Sequence, residues 1–156
     1  MHLARRSPSR ARAAARAVTV AGVLVLAPLG AARAAGFLDD VEAGRSVGAA
    51  SVAATTDGAA RASAVQGVLA AHHEASAGFA IGVLLAALDA DRTRASTTRS
   101  AGDRALVERQ VRELLAAQAD AGIGNRALCL LSGRTEPKSL ERQVRLVEPR
   151  WSCERH

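Results

Sequence analysis

The sequence predicts an all-α fold: a small helical bundle around one long Ala-rich helix, held by one disulfide. Three observations lead there. From Ala59 to Asp91 a row of positions, Val65, Leu69, His72, Ser76, Phe79 and Val83, recurs in alternating steps of four and three, which places it on one helix face. Aromatic residues are 2% of the chain and tyrosine is absent, so the core must be Ala, Leu and Val. That composition favours close helix packing over a sheet sandwich. Helix start signals also precede several apolar stretches, at Asp57, Ser100 and Pro137.

The long helix is the centre of this expectation. Ile81, Leu84, Leu85 and Leu88 widen its apolar face, so its C-terminal part should be buried on several sides. The Asp57 carboxylate can cap its start. Gly67, Gly78 and Gly82 each cost about 1 kcal/mol relative to Ala in a helix. Gly78 and Gly82, one turn apart, are tolerable where another backbone approaches closely. The same spacing also occurs in membrane helices, but the uncharged run from Ala75 to Leu88 is short against the ~20 apolar residues a span needs. No stable membrane span is expected.

Residues 1–34 read as a secretory signal peptide, followed by a single small domain over 35–156. Arg5, Arg6, Arg10, Arg12 and Arg16 form a basic region, Ala17 to Leu29 an apolar one, and Ala32-Arg33-Ala34 a small-x-small site, so cleavage is expected after Ala34. Arg5-Arg6 hints at twin-arginine export, but Ser-Pro-Ser-Arg follows, which favours general secretion. No cysteine at the cleavage point suggests a lipid anchor. The expected location is periplasmic or extracellular.

Removing the leader's six arginines from the chain's 21 basic residues leaves 15, against 15 acids, a net charge of zero. The basic balance therefore belongs to the leader and gives no support for nucleic-acid binding, which needs a basic surface on the domain itself. The remaining charge is segregated. Ala35 to Asp91 holds seven acids and two bases, whereas Arg92 to His156 holds eight acids and thirteen bases. Either the two parts attract each other within one domain, which is favoured, or they present a two-signed surface to a charged partner.

The remaining elements follow in order. Residues 37–50 suggest a short acidic helix with Phe37, Leu38 and Val41 inward, and Ser46 to Thr56 a linker or weak helix end. Residues 92–100 are a basic Ser/Thr-rich loop. Ser100 to Asp103 resembles a capping box. Behind it, Val107, Val111, Leu114 and Leu115 form a helical face edged by Leu106, with Glu108 and Arg112 paired outside. Gly122 and Gly124 supply a stop. Asn125 can cap the short piece 126–132, and Pro137 starts a helix carrying Leu140, Val144 and Val147, with a Glu141–Arg145 pair and Pro149 at its close. A hairpin of 127–132 with 142–147 is the rival reading; the stripe, the proline and the ion pair favour helix.

Few residues suggest chemistry. Cys129 and Cys153 are the only cysteines, and in an exported protein they should form one structural disulfide that pins the tail and Trp151. There is no CxxC spacing for a redox pair. His72-His73-Glu74 is the one catalytic-looking cluster, yet neighbouring helical residues diverge by about 100°, and His-Glu-x-x-His is not present. His72 is expected in the core, with His73 and Glu74 on the surface. Asp39, Asp40 and Glu42 lack the order of a calcium loop, and Asp89 and Asp91 are expected to pair with Arg92 or Arg94. Nucleophile elbows and nucleotide fingerprints are not seen. No cofactor and no metal are expected.

The succession GFAIGVLLAAL (78–88), LVERQVRELLAAQAD (106–120) and a further short helix resembles the small periplasmic immunity proteins of type VI secretion. That resemblance implies an exported all-helical domain with a disulfide that binds a peptidoglycan-cleaving toxin. The family pattern would place a cysteine shortly before Gly78, where this chain has none, and the chain beyond Gly133 lies outside it; no residue role carries over. The leading expectation is an exported, non-catalytic binding or structural module of the bacterial envelope, its partner another envelope protein. The alternatives are an inhibitor or immunity protein against a periplasmic enzyme or toxin, and a metal-dependent or acid–base enzyme using His72, His73 or Glu74.

Overall fold

The computed structural model describes residues 29–94, 101–133 and 137–154. They form six helices: α1 (Leu29–Ala53), α2 (Gly58–Ala71), α3 (Ala77–Arg94), α4 (Ala101–Asp120), α5 (Asn125–Leu131) and α6 (Pro137–Val144). The fold is all-α, as the composition and stripes predict, and the described residues contain no strand. The hairpin reading of 127–132 with 142–147 is thereby excluded.

The single long helix is corrected. The stretch 59–91 is two helices, broken at residues 72–76. At 1.5 Å per residue an unbroken helix would be about 50 Å long, more than a domain of this size can cover on all sides. The break lets α2 fold back along α3, so that both bury a face. His72 closes α2 with φ −116° and ψ 36°, its N–H bonded to the Val68 carbonyl. Ser76 then starts α3: its hydroxyl accepts from the Phe79 N–H at 3.2 Å and donates to the Asp40 carboxylate at 2.7 Å. This satisfies one otherwise orphaned donor of the first turn and ties the turn to α1. The start of α2 is as expected, with Asp57 Oδ1 accepting from the Ala60 N–H at 2.7 Å.

The centre of the bundle is α3. Every residue from Ile81 to Leu88 is buried, which bears out the prediction that this end is enclosed all round. Its neighbours are α1, α2, α4 and α6. The pairings Phe37–Gly78, Gly44–Phe79 and Gly48–Val83 show that α1 and α3 run parallel. Those of Arg61 with Asp91 and His72 with Phe79 show that α2 runs opposite to α3. Gln66 on α2 meets Glu113 on α4 at 2.8 and 2.9 Å, and Gly58 lies beside Asp103, so α4 also runs opposite to α3.

The closest approach in the fold is between α1 and α3, and it is made at glycines. A Cβ on Gly82 would collide with the Val41 carbonyl oxygen, and one on Gly44 with that of Phe79. A Cβ on Gly48 would stand 2.9 Å from the Val83 Cα, and one on Gly78 the same distance from the Phe37 ring. The expectation that Gly78 and Gly82 admit a backbone is thus met, and the partner carries its own four-residue glycine pair, Gly44 and Gly48. The short acidic helix and linker predicted over 37–56 are one helix to Ala53, because packing on α3 outweighs the weak propensity of Gly, Ser and Val. Val41 and Val52 are buried as its inner face, but Leu38 is 53% exposed and does not face inward as predicted. The helix also passes through the expected cleavage point. Phe37 is its first described side chain against the core, so loss of residues 1–34 leaves these contacts in place.

Val107, Val111 and Leu114 are buried on α4, with Leu106 at its edge, and Arg112 pairs with Glu108 at 3.4 Å, all as predicted; Leu115, expected on the face, is only partly buried. Ser100 lies outside the described residues. Gly122 ends the segment with φ +63°, a conformation that favours glycine. Asn125 does not cap α5; Gly124 occupies that position without a side-chain bond. Asn125 accepts instead from Gln118 at 3.0 Å and donates to the Ser152 carbonyl at 3.4 Å, joining α4 to the tail. Pro137 opens α6, where a missing N–H is harmless, and Leu140 and Val144 are buried beneath it. Gln143 donates to the Leu88 carbonyl at 3.1 Å, fixing α6 on the end of α3.

Cys129 and Cys153 are bonded, with sulfurs 2.04 Å and Cα atoms 5.9 Å apart. The bridge holds the tail so that Trp151 is buried against the core. Replacing both cysteines by serine is expected to lower stability by about 3–4 kcal/mol, the loop-closure entropy for a cross-link of this span. Urea unfolding of the oxidised wild type and the double variant checks this; equal midpoints would contradict it.

Candidate functional site

The histidine cluster is not where the stripe placed it. His72 is exposed, in the turn between α2 and α3. Its ring packs on the outer side of Phe79, centroids 4.9 Å apart. The core assignment of His72 is therefore corrected: the helix ends at this residue, so the face it would have shared with Val65 and Val83 does not continue through it. His73 and Glu74 are on the surface, as expected, 3.7 Å apart with side chains 75% and 90% exposed. Three side chains on an exposed turn lack the dry, convergent setting in which acid–base or metal chemistry is built. Among the described residues no three His, Cys, Asp or Glu side chains gather as a metal ion would require.

His72→Leu is consequently expected to change stability by no more than about 0.5 kcal/mol, as for exposed positions generally. Thermal melts check the stability, and metal analysis of the purified protein checks the chemistry. A stoichiometric metal lost in the variant would overturn this view of the turn.

Asp89 and Asp91 reach back to earlier helices, pairings that the expectation of Arg92 or Arg94 did not include; the Arg94 side chain lies outside the described residues. The Arg45 guanidinium on α1 lies 3.7 Å from Asp89 and also donates to the Leu131 carbonyl. Arg61 on α2 is buried in an ion pair with Asp91. These two arginines are the only bases between Ala35 and Asp91, and both are engaged inside the bundle. The other acids of that stretch, Asp39, Asp40, Glu42, Asp57 and Glu74, are exposed or partly so. Asp40 and Glu74 belong to the same end of the bundle, where the turn 72–76 meets α1 through Ser76.

The second half is organised differently. The ion pairs described there include local ones, Arg104 with Glu108, Arg109 with Glu113, and Arg145 with Glu141, each four residues apart. Such pairs are worth a few tenths of a kcal/mol each. Between α6 and the tail lies a polar groove of about 520 Å³, lined by Lys138, Glu141, Arg142, Arg145, Ser152 and Glu154. Sequence reasoning did not identify it, since it joins a helix to a tail that the disulfide and bonds from Arg145 and Asn125 bring alongside. The one available signal was Lys138, the only lysine in a chain whose other bases are arginine.

The described helices include none long and apolar enough to cross a membrane. Comparison with protein-family models, with curated proteins and with solved structures finds no match to this chain.

Proposed function

We propose that this chain is an exported, non-catalytic binding or structural module of the bacterial envelope, processed after Ala34 and working as residues 35–156. The observation that carries the reading is the division of charge. Arg45 and Arg61 are taken up by Asp89 and Asp91 inside the bundle, so the first half turns an acidic surface outward. The exposed cations Lys138 and Arg142 lie on α6. Surfaces of opposite sign on a disulfide-bonded body suit a partner with charge of its own, which they would steer and orient.

A narrower form of the same reading is an inhibitor or immunity protein that binds a periplasmic enzyme or toxin. It rests on the resemblance of 78–88 and 106–120, which fall on α3 and α4. The enzyme reading on His72, His73 and Glu74 is not favoured, because their exposure gives them no common site.

The immobilised oxidised protein should retain a distinct protein from an envelope extract of its host, and release it as salt rises, since screening weakens contacts between exposed charges. Neutralising Asp39, Asp40 and Glu42 together, or Lys138 and Arg142 together, should abolish retention. An extract from which nothing is retained at low salt would contradict the proposal.

A further inference from the structure

We infer that the groove between α6 and the C-terminal tail is a binding site for a short zwitterionic peptide segment, with the peptide's terminal carboxylate held by Lys138 and Arg142 and its ammonium group facing Glu154. The inference rests on the binding-module reading and gives it a ligand chemistry.

The walls of the groove are fixed. Leu140 and Val144 bury the inner face of α6. The tail is held by the Cys129–Cys153 bridge, by the Arg145 Nε bond to the Trp151 carbonyl at 3.0 Å, and by the Asn125 bond to the Ser152 carbonyl. The Ser152 hydroxyl accepts from the Glu154 N–H at 3.1 Å, which curls the tail at the groove's edge. A site held this way loses little ordering entropy when a ligand enters.

Its charges divide into engaged and available ones. Arg145 and Glu141 neutralise each other, and Arg145 is further committed to the Trp151 carbonyl. Lys138 and Arg142 are four residues apart, so their side chains share one face of α6, with Cβ atoms about 6 Å apart. The Arg142 Nε donates to the Lys138 carbonyl at 3.3 Å, which draws the guanidinium back toward the lysine and leaves its terminal amino groups for a ligand. Two cations side by side match a carboxylate, whose two oxygens can take one donor from each. Glu154, on the tail side of the groove, offers the opposite charge. A polyanion would meet Glu154, whereas a molecule with a carboxylate at one end and an ammonium at the other meets complementary charge at each. The volume of about 520 Å³ lies within the range of small-ligand sites.

The test uses the exported, disulfide-bonded protein, isotope-labelled, titrated with tri-alanine carrying free termini. Tri-alanine should shift the amide resonances of residues 138–145 and 152–154. Amidating its C-terminus, or making Lys138→Gln with Arg142→Gln, should weaken binding about fivefold or more, the effect of losing one exposed charge contact. Acetylating its N-terminus, or Glu154→Gln, should weaken it by a smaller factor. These side chains are exposed, so the variants should keep the wild-type circular dichroism. Inorganic phosphate shifting the same resonances as strongly as tri-alanine would overturn the zwitterion assignment in favour of a simple anion patch. Amidated and free peptide binding equally would overturn the carboxylate contact. No shift with any peptide would overturn the groove as a peptide site while leaving envelope-protein capture, and so the binding-module reading, standing on other surfaces.

Discussion

Leucine in place of Gly82 is expected to destabilise the domain by about 3 kcal/mol or more, at or beyond the upper end of ordinary overpacking. The reason is local and geometric. A Cβ on Gly82 meets the carbonyl oxygen of Val41 and crowds the Arg45 amide, and backbone atoms of a neighbouring helix cannot turn aside as a side chain tip can. The helices must separate, and Val41, Ile81 and Leu85 would lose packing together. Gly44, whose Cβ would meet the Phe79 carbonyl, should behave the same way. Gly67 provides the contrast. It is exposed on α2 with nothing within 4 Å of a built Cβ, so Gly67→Ala should stabilise by up to about 1 kcal/mol through helix propensity alone. Urea unfolding of Gly82→Ala and Gly67→Ala should therefore give shifts of opposite sign. Two stabilising shifts would remove the argument for glycine-mediated contact.

The second large effect is expected at the Arg61–Asp91 pair. Asp91→Ala should cost about 3–5 kcal/mol, since it leaves the Arg61 charge in the bundle without its carboxylate. The side chains of Arg61 and Asp91 are 5% and 12% exposed, so water can do little to replace the lost partner. The double change Arg61→Met, Asp91→Leu should recover most of that loss, because two apolar groups need no counter-charge. Arg104→Ala, which removes an exposed pair with Glu108, should change stability by no more than about 0.5 kcal/mol. Denaturant midpoints of the three variants against wild type check the order. An Asp91→Ala variant as stable as Arg104→Ala would show that the buried pair contributes nothing particular.

How much of this was legible varied from element to element. The face of α4 was readable because Val107, Val111 and Leu114 are separated by charged residues that fix the period. The enclosed end of α3 was readable from the density of apolar residues between Ile81 and Leu88. The break before it was not. His72 and Ser76 fall on the helical register of the stripe, and the alanines around them contain no strong helix breaker. Only Ser76 signalled a new start, and without Glu or Gln three residues later it lacked the usual second half of the box. The length of α1 was hidden for the opposite reason. Its Gly and Ser content lowers local propensity, while the same glycines are what lets it lie against α3. The pairing of Asp91 with Arg61 was hidden because proximity along the chain pointed to Arg92 and Arg94, whereas the antiparallel return of α2 brings Arg61 alongside. The groove at α6 needed the tail, and the tail needed the disulfide.

An intact mass of the protein taken from the envelope fraction, measured without reductant, tests the central claim of an exported, disulfide-closed module. The predicted chain starts at Ala35 and is two hydrogens lighter than its reduced form. A chain that keeps Met1, or one with both thiols free, would contradict it.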